Sequence, residues 1–277
     1  MPYGIVPGYH DFEADINSKA MLEIEARHKY AVSLPNYFMF NNTPMIHEFT
    51  YDLPIHNANN PDTVDARLWF FGTGRADCMG SGGMNCVRRD QIEWYKSRTK
   101  EIDNSAKGAN YDERRKNGLA FMHHALQEHM NLVSHYPVHG QKRDISGCQG
   151  LNTGLFAEFK QRGNVQWVSA GGDHSSDFWG NYAGINLAYG RKTGFASYGP
   201  KFVQRGARVF NLYVDPSTGE MTTETYIRQQ DGEVDAQEEL NEPPIISYLR
   251  SDHCIGAEDA ALPGGKENGW MPKFTLS

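Results

Sequence analysis

Apolar residues along this chain recur in two rhythms. Short runs of β-branched and aromatic residues predict strands at Gly4 to Val6, Ile46 to Tyr51, Arg67 to Gly72, Leu119 to Met122 and Val165 to Ala170. Between them, wider spacings predict helices. Ala20, Met21 and Ile24 mark one over Lys19 to Arg27, with Ser18 as its N-cap. Ile92, Trp94 and Tyr95 mark the core side of another over Asp90 to Lys100, and a third is expected over Leu151 to Gln161. The later part is strand-rich: Gly184 to Tyr189, Ala207 to Val214 and Met221 to Ile227 follow one another, the last two joined by the turn Asp215-Pro216-Ser217-Thr218-Gly219. From Asp231 onward the pattern gives way to acidic, Pro/Gly-rich sequence. The reading is one mixed α/β domain over 1–230 and an acidic tail over 231–277.

Composition narrows the partners. With 39% hydrophobic and 22% charged residues the chain has ordinary globular composition, so a disordered or collagenous reading is excluded. A formal charge of −7 and the absence of any basic run argue against nucleic acid as the partner. The longest apolar runs fall far short of the roughly 20 residues of a bilayer span, and no signal peptide is visible.

Four cysteines fit neither a disulfide-dense miniprotein nor a zinc ribbon. Cys78 and Cys86 bracket a Gly-rich loop, which they could close as a disulfide or leave as two free thiols. Asn41-Asn42-Thr43 has the form of an N-glycosylation triplet. The aromatic residues between Tyr30 and Tyr51 suit either a substrate groove or packing beneath long loops.

Three polar clusters follow the apolar runs directly: Gly8-Tyr9-His10-Asp11, Met122-His123-His124 and Gly171-Gly172-Asp173-His174. Imidazoles and carboxylates at the carboxyl ends of neighbouring strands converge on one crevice, which suits metal ligation or acid/base chemistry. Gly8-Tyr9-His10-Asp11 resembles the Gly-Asn-His-Asp/Glu motif of the calcineurin-like metallophosphoesterases, Gly171-Gly172-Asp173-His174 resembles their Gly-His-x-His motif, and Ala120-Phe121-Met122-His123 resembles the segment with their isolated metal-binding His. The purple-acid-phosphatase-related branch is the most similar, through Gln91-Ile92-Glu93-Trp94-Tyr95, Leu151-Asn152-Thr153-Gly154-Leu155-Phe156, the stretch Asp173 to Gly180, and Tyr189-Gly190-Arg191-Lys192-Thr193-Gly194. The resemblance runs from Gly4 to Val214.

That resemblance implies a four-layer α/β/β/α sandwich, here lacking its first strands, and a dinuclear centre of Fe, Zn, Mn or Mg. It implies hydrolysis of a phosphate-ester substrate and a secreted or secretory-pathway protein. Residue by residue, His10 matches the leaving-group His, His123 a ligand of the second metal and His174 a ligand of the first, while Asp173 matches a position that is no ligand. Two departures strike the second metal: Tyr9 stands where the family has a ligand Asn, and Gly172 where it has a ligand His. The family's Asp-x-His and Gly-Asp-x-x-Asp motifs precede the first cluster, and Ser251-Asp252-His253-Cys254 does not replace them. The expectation is therefore a metallophosphoesterase-like protein with its metal centre reduced or absent. It is either the carboxyl-terminal part of a longer phosphatase-like protein or a short form that has lost the chemistry. The two functional readings are a phosphomonoester hydrolase and a catalytically inactive binding or structural relative.

Overall fold

Four apolar runs buried on both faces make the centre of the fold, and this is why they read as near-continuous hydrophobic stretches. In the computed structural model, residues 1–13, 15–75, 77–81, 84–105, 117–143, 148–195 and 198–240 are described. The strands are β1 (Asn36–Phe40), β2 (Thr43–His47), β3 (Tyr51–His56), β4 (Val64–Phe71), β5 (Gly118–Met122), β6 (Val138–His139), β7 (Val165–Ala170), β8 (Trp179–Tyr182), β9 (Ile185–Tyr189), β10 (Gly206–Val214), β11 (Met221–Gln229), β12 (Val234–Asp235) and β13 (Glu239–Leu240). The helices are α1 (Ser18–Glu25), α2 (Arg89–Ser105), α3 (Gln127–His135) and α4 (Leu155–Arg162).

Eight strands form one mixed sheet in the order β13-β6-β8-β9-β7-β5-β4-β3, in which β4, β5, β7 and β9 are parallel. Alternation along those strands sends side chains to two faces. Trp69, Phe71, Ala120, Met122, Val168, Leu187 and Tyr189 join α2, α3 and α4 in the larger core. Ala66, Leu119, Trp167 and Ala188 point the other way, against Phe210, Leu212 and Val214 of β10 and Met221 of β11. The strands β10-β11-β12 make a second sheet and β1-β2 a separate hairpin. The architecture is an α/β sandwich as expected; of the four layers implied, the described residues show three, a helix layer, the large sheet and the small sheet packed on it.

Several local expectations shift. Gly4 to Val6 is not a strand, because side chains take up its backbone groups: Ile5 N–H donates to Ser33 Oγ, and the Tyr51 hydroxyl donates to the Ile5 carbonyl. Ile46 to Tyr51 is not one strand either. The chain ends β2 at His47, turns, and begins β3 at Tyr51, where the tyrosine ring stacks on Phe70. The N-cap of α1 is Asn17, whose side chain accepts from Ala20 N–H, rather than Ser18. Helix α4 starts at Leu155, four positions later than expected, after Asn152 Oδ1 has accepted the Gly154 N–H. Helix α3 and the hairpin strand β1 were not foreseen. The acidic stretch after Asp231 begins with β12 on β11 and β13 on β6; its remainder, with Asp252 and His253, lies outside the described residues.

Helix α3 carries a fully buried imidazole, His129, with its ring edge-on to Tyr189 at 5.5 Å between centroids. Burial pushes its pKa down to about 4. The unfolded chain therefore binds a proton that the folded chain refuses between about pH 6.5 and about 4, and stability is lost as pH falls through that window. The substitution His129→Leu is expected to remove this component. Urea unfolding of the parent and the variant across the window checks it, and an unchanged acid dependence would count against it.

Candidate functional site

The parallel strands end at one level. Phe71 pairs with Met122, Met122 with Ala170, and Ala170 with Tyr189, so the loops that begin at Gly72, His123, Gly171 and Gly190 leave the sheet side by side. This is where ligands collect in open α/β sheets. The amino-terminal segment completes the rim. It is held over β3 and β4 by Tyr3 N–H donating to the Tyr30 carbonyl and by the bonds to Ile5, and it delivers Gly8 and the 3₁₀ turn Tyr9–Glu13 to the crevice. Asp11 closes that turn, its Oδ2 accepting the Gly8 N–H at 2.6 Å.

Three of the histidines singled out by sequence come together here. His123 is wedged between glycines: a methyl group on Gly8 would lie 2.7 Å from His123 Cε1, and one on Gly172 would lie 3.0 Å from the His123 carbonyl oxygen. His10 and His174 face each other with ring centroids 5.5 Å apart. Each is oriented through Nδ1. His10 Nδ1 meets Glu13 Oε1 at 2.9 Å, and His174 Nδ1 donates to the Tyr198 carbonyl at 3.0 Å. The Tyr198 ring lies over His174 at 4.2 Å.

His124, next in the chain, points to the other side of its strand end. Its N–H donates to Thr73 Oγ1 and its Nδ1 to the Asn85 carbonyl, and its Nε2 is buried with no hydrogen-bond partner among the described residues. Asn85 is held in turn by the disulfide that closes Cys78 on Cys86, both fully buried. That settles the alternative between a bridge and two free thiols. Tyr9 packs edge-on to His10 and lies beneath the Arg75 guanidinium, 5.1 Å from its ring centroid. Glu13, Arg75, Asn85 and Tyr198 are thus part of this crevice, and none was singled out by sequence. Asn85 and Tyr198 act through main-chain carbonyls, which leave no signature in residue type.

The crevice's more deeply buried imidazoles resist protonation. Burial, reinforced by the neighbouring His124, His174 and His10, holds the His123 pKa at about 3. Burial takes His124 to about 4 and also lowers His174, where Lys192 and His10 add to the effect. Neutral imidazoles with an available Nε2 are the form that accepts a proton or binds a metal.

A buried ion pair steadies the loops after β7 and β9. Asp177 and Arg191 are bonded to each other, Arg191 also reaches Asp235 at 3.0 Å, and Asp177 Oδ1 accepts the Gln141 N–H at 2.9 Å. Asp173 Oδ1 accepts the N–H groups of Ser175 and Ser176.

A dinuclear centre does not fit the donors described. Among the described residues no three His, Cys, Asp or Glu side chains form a group that could hold a metal ion. At the two divergent positions the structure gives the reason: the Tyr9 ring is engaged with Arg75 and His10, and Gly172 presents only backbone to His123. Asp11, the nearest carboxylate in the motif, is turned to Gly8 N–H.

Comparison with known proteins points the same way as the motifs. No family model matches the chain. It is 26% identical over 219 residues to the probable inactive purple acid phosphatase 29 of Arabidopsis thaliana, covering 76% of this chain and 55% of that protein. It is 24% identical over 227 residues to the probable inactive purple acid phosphatase 14 of the same plant, covering 78% of this chain and 55% of that protein. The chain spans about half the length of these curated relatives.

The seat of His123 has a steric test. Gly8→Ala drives a methyl into a ring that is itself packed in, at an expected cost of about 1–3 kcal/mol. Gly171→Ala places its methyl no closer than 3.9 Å to the same ring and is expected to change stability by less than about 0.5 kcal/mol. Denaturant unfolding of the two variants decides. Equal effects would show that the contact at Gly8 is not limiting.

Proposed function

We propose that this chain, similar over about three quarters of its length to two probable inactive purple acid phosphatases, is a phosphatase-like protein that retains the strand-end crevice as a recognition site for a phosphate ester without two-metal hydrolysis. One observation carries this reading. Where the family places two donors for its second metal, this chain has a tyrosine ring engaged by Arg75 and a glycine whose backbone packs on His123. His123 would be left as a lone protein nitrogen at that position, against the roughly three protein ligands that hold a catalytic zinc. The names of the two Arabidopsis relatives, both probable inactive phosphatases, agree with it. What remains suits recognition: the imidazoles of His10 and His174 facing each other, the Arg75 guanidinium at the rim, and Tyr198 over His174.

A second reading is favoured by the meeting of His10 and His174. In a phosphomonoester hydrolase, His10 would assist the leaving oxygen through Nε2, its ring oriented by the bond from Nδ1 to Glu13. His123 and His174 would then hold metal together with donors outside the described residues. That metal would polarise the phosphate and supply an activated water.

No helix among the described residues is long and apolar enough to cross a membrane. The buried bridge between Cys78 and Cys86 supports placement in the secretory pathway, since such bonds persist in oxidising compartments.

Metal analysis of the purified protein, with p-nitrophenyl phosphate as the substrate, separates the readings. The expected result is no stoichiometric metal and no turnover beyond that of the variant His174→Ala, with inorganic phosphate still raising the Tm of the parent. Stoichiometric metal together with turnover that disappears in His174→Ala would overturn the proposal in favour of the hydrolase.

A further inference from the structure

The hairpin β1–β2 stands apart from the crevice and carries the triplet Asn41-Asn42-Thr43, for which the phosphatase-like site has no use. We propose that Asn41 is an acceptor of an N-linked oligosaccharide. In this reaction the Asn41 side-chain amide nitrogen attacks the anomeric carbon of a lipid-pyrophosphate-linked oligosaccharide, supplied and activated by the host's transferase. A C–N bond forms, the anomeric C–O bond to pyrophosphate breaks, the lipid pyrophosphate leaves, and the amide loses one proton to the enzyme's base.

Three features of the structure carry the assignment. The first is geometry. Asn41 and Asn42 have φ of 48° and 61°, and Phe40 pairs with Thr43 across them, so they are the two central residues of a hairpin turn with positive φ at both positions. Residues 41–44 are exposed, and a glycan there meets no packed surface. The second is the neighbour. Residues directly opposite in an antiparallel pair share a face, so the half-buried Phe40 ring and Thr43 flank the acceptor on one side, where an apolar sugar face can pack on the aromatic ring. The third is compartment. The disulfide between Cys78 and Cys86 forms under the oxidising conditions in which Asn-x-Thr triplets are read.

The hairpin is also fixed to the body, so its tip keeps this shape. His47 Nε2 meets Asp90 Oδ2 at 3.0 Å at the start of α2, and the His47 ring stacks on Phe38. Pro44 follows the triplet and biases Thr43 toward extended backbone, away from the turn in which its hydroxyl reaches the Asn41 amide during transfer. Occupancy is therefore expected to be partial, and higher in Pro44→Ala.

This inference uses the secretory placement proposed above, and one digest tests the two separately. The full chain is directed through the secretory pathway of a eukaryotic host and treated with an N-glycosidase in heavy-oxygen water. Peptide mapping then follows the Asn41 peptide and the Cys78 and Cys86 peptides under non-reducing conditions. The expected result is a glycosidase-dependent conversion of Asn41 to labelled Asp in the parent and in Asn42→Gly, which keeps both the triplet and the turn. The converted fraction should be larger in Pro44→Ala and nil in Thr43→Ala. An unmodified Asn41 in the parent with the bridge intact would overturn the glycan and leave the placement standing, as would modification confined to Pro44→Ala. Free thiols at Cys78 and Cys86 together with an unmodified Asn41 would overturn both.

Discussion

The register of the parallel strands sets everything else in this molecule. Because β4, β5, β7 and β9 are paired so that Phe71, Met122, Ala170 and Tyr189 lie in one row, the residues that follow them emerge together. Hydrogen bonding fixes that row, and burial on both faces prevents it from slipping, since a shift of one residue would exchange Trp69 and Phe71 with Leu68 and Phe70 across the sheet. The crevice is a consequence of this alignment, not an additional construction.

What the alignment brings together is a set of imidazoles kept neutral by burial. His123 and His124 have little access to water, and each ring is held by packing or by a main-chain carbonyl rather than by a charge. In a metal centre the ion would hold such rings in place. Here Gly8 and Gly172 do this sterically for His123, and Glu13 and the Tyr198 carbonyl do it by hydrogen bonds for His10 and His174. These contacts all lie within the chain.

Legibility from sequence divided along physical lines. Val165 to Ala170 and Ala207 to Val214 were read with their observed edges, give or take one residue, because an apolar run bounded by glycine carries its own signal. His174 was legible for the same reason, as the polar end of such a run. Helix α3 was not, because Glu128 and His129 occupy buried positions and disguise its apolar face. The segment Gly4 to Val6 has the composition of a strand, but Ser33 and Tyr51 take its backbone bonds, and a side-chain partner dozens of residues away cannot be read locally. The same applies to Asn85, which enters the site through a carbonyl presented by a disulfide-closed loop.

His10, His123 and His174 hang from three different segments, the first from the 3₁₀ turn after Gly8 and the other two from the loops after β5 and β7. Tyr9 belongs to the turn after Gly8 and Gly172 to the loop after β7, so both divergent positions lie outside the sheet beneath. The groups that face the crevice and the sheet that carries them are thus separable parts of the molecule: donors on the rim can be exchanged singly without rewriting the apolar runs below.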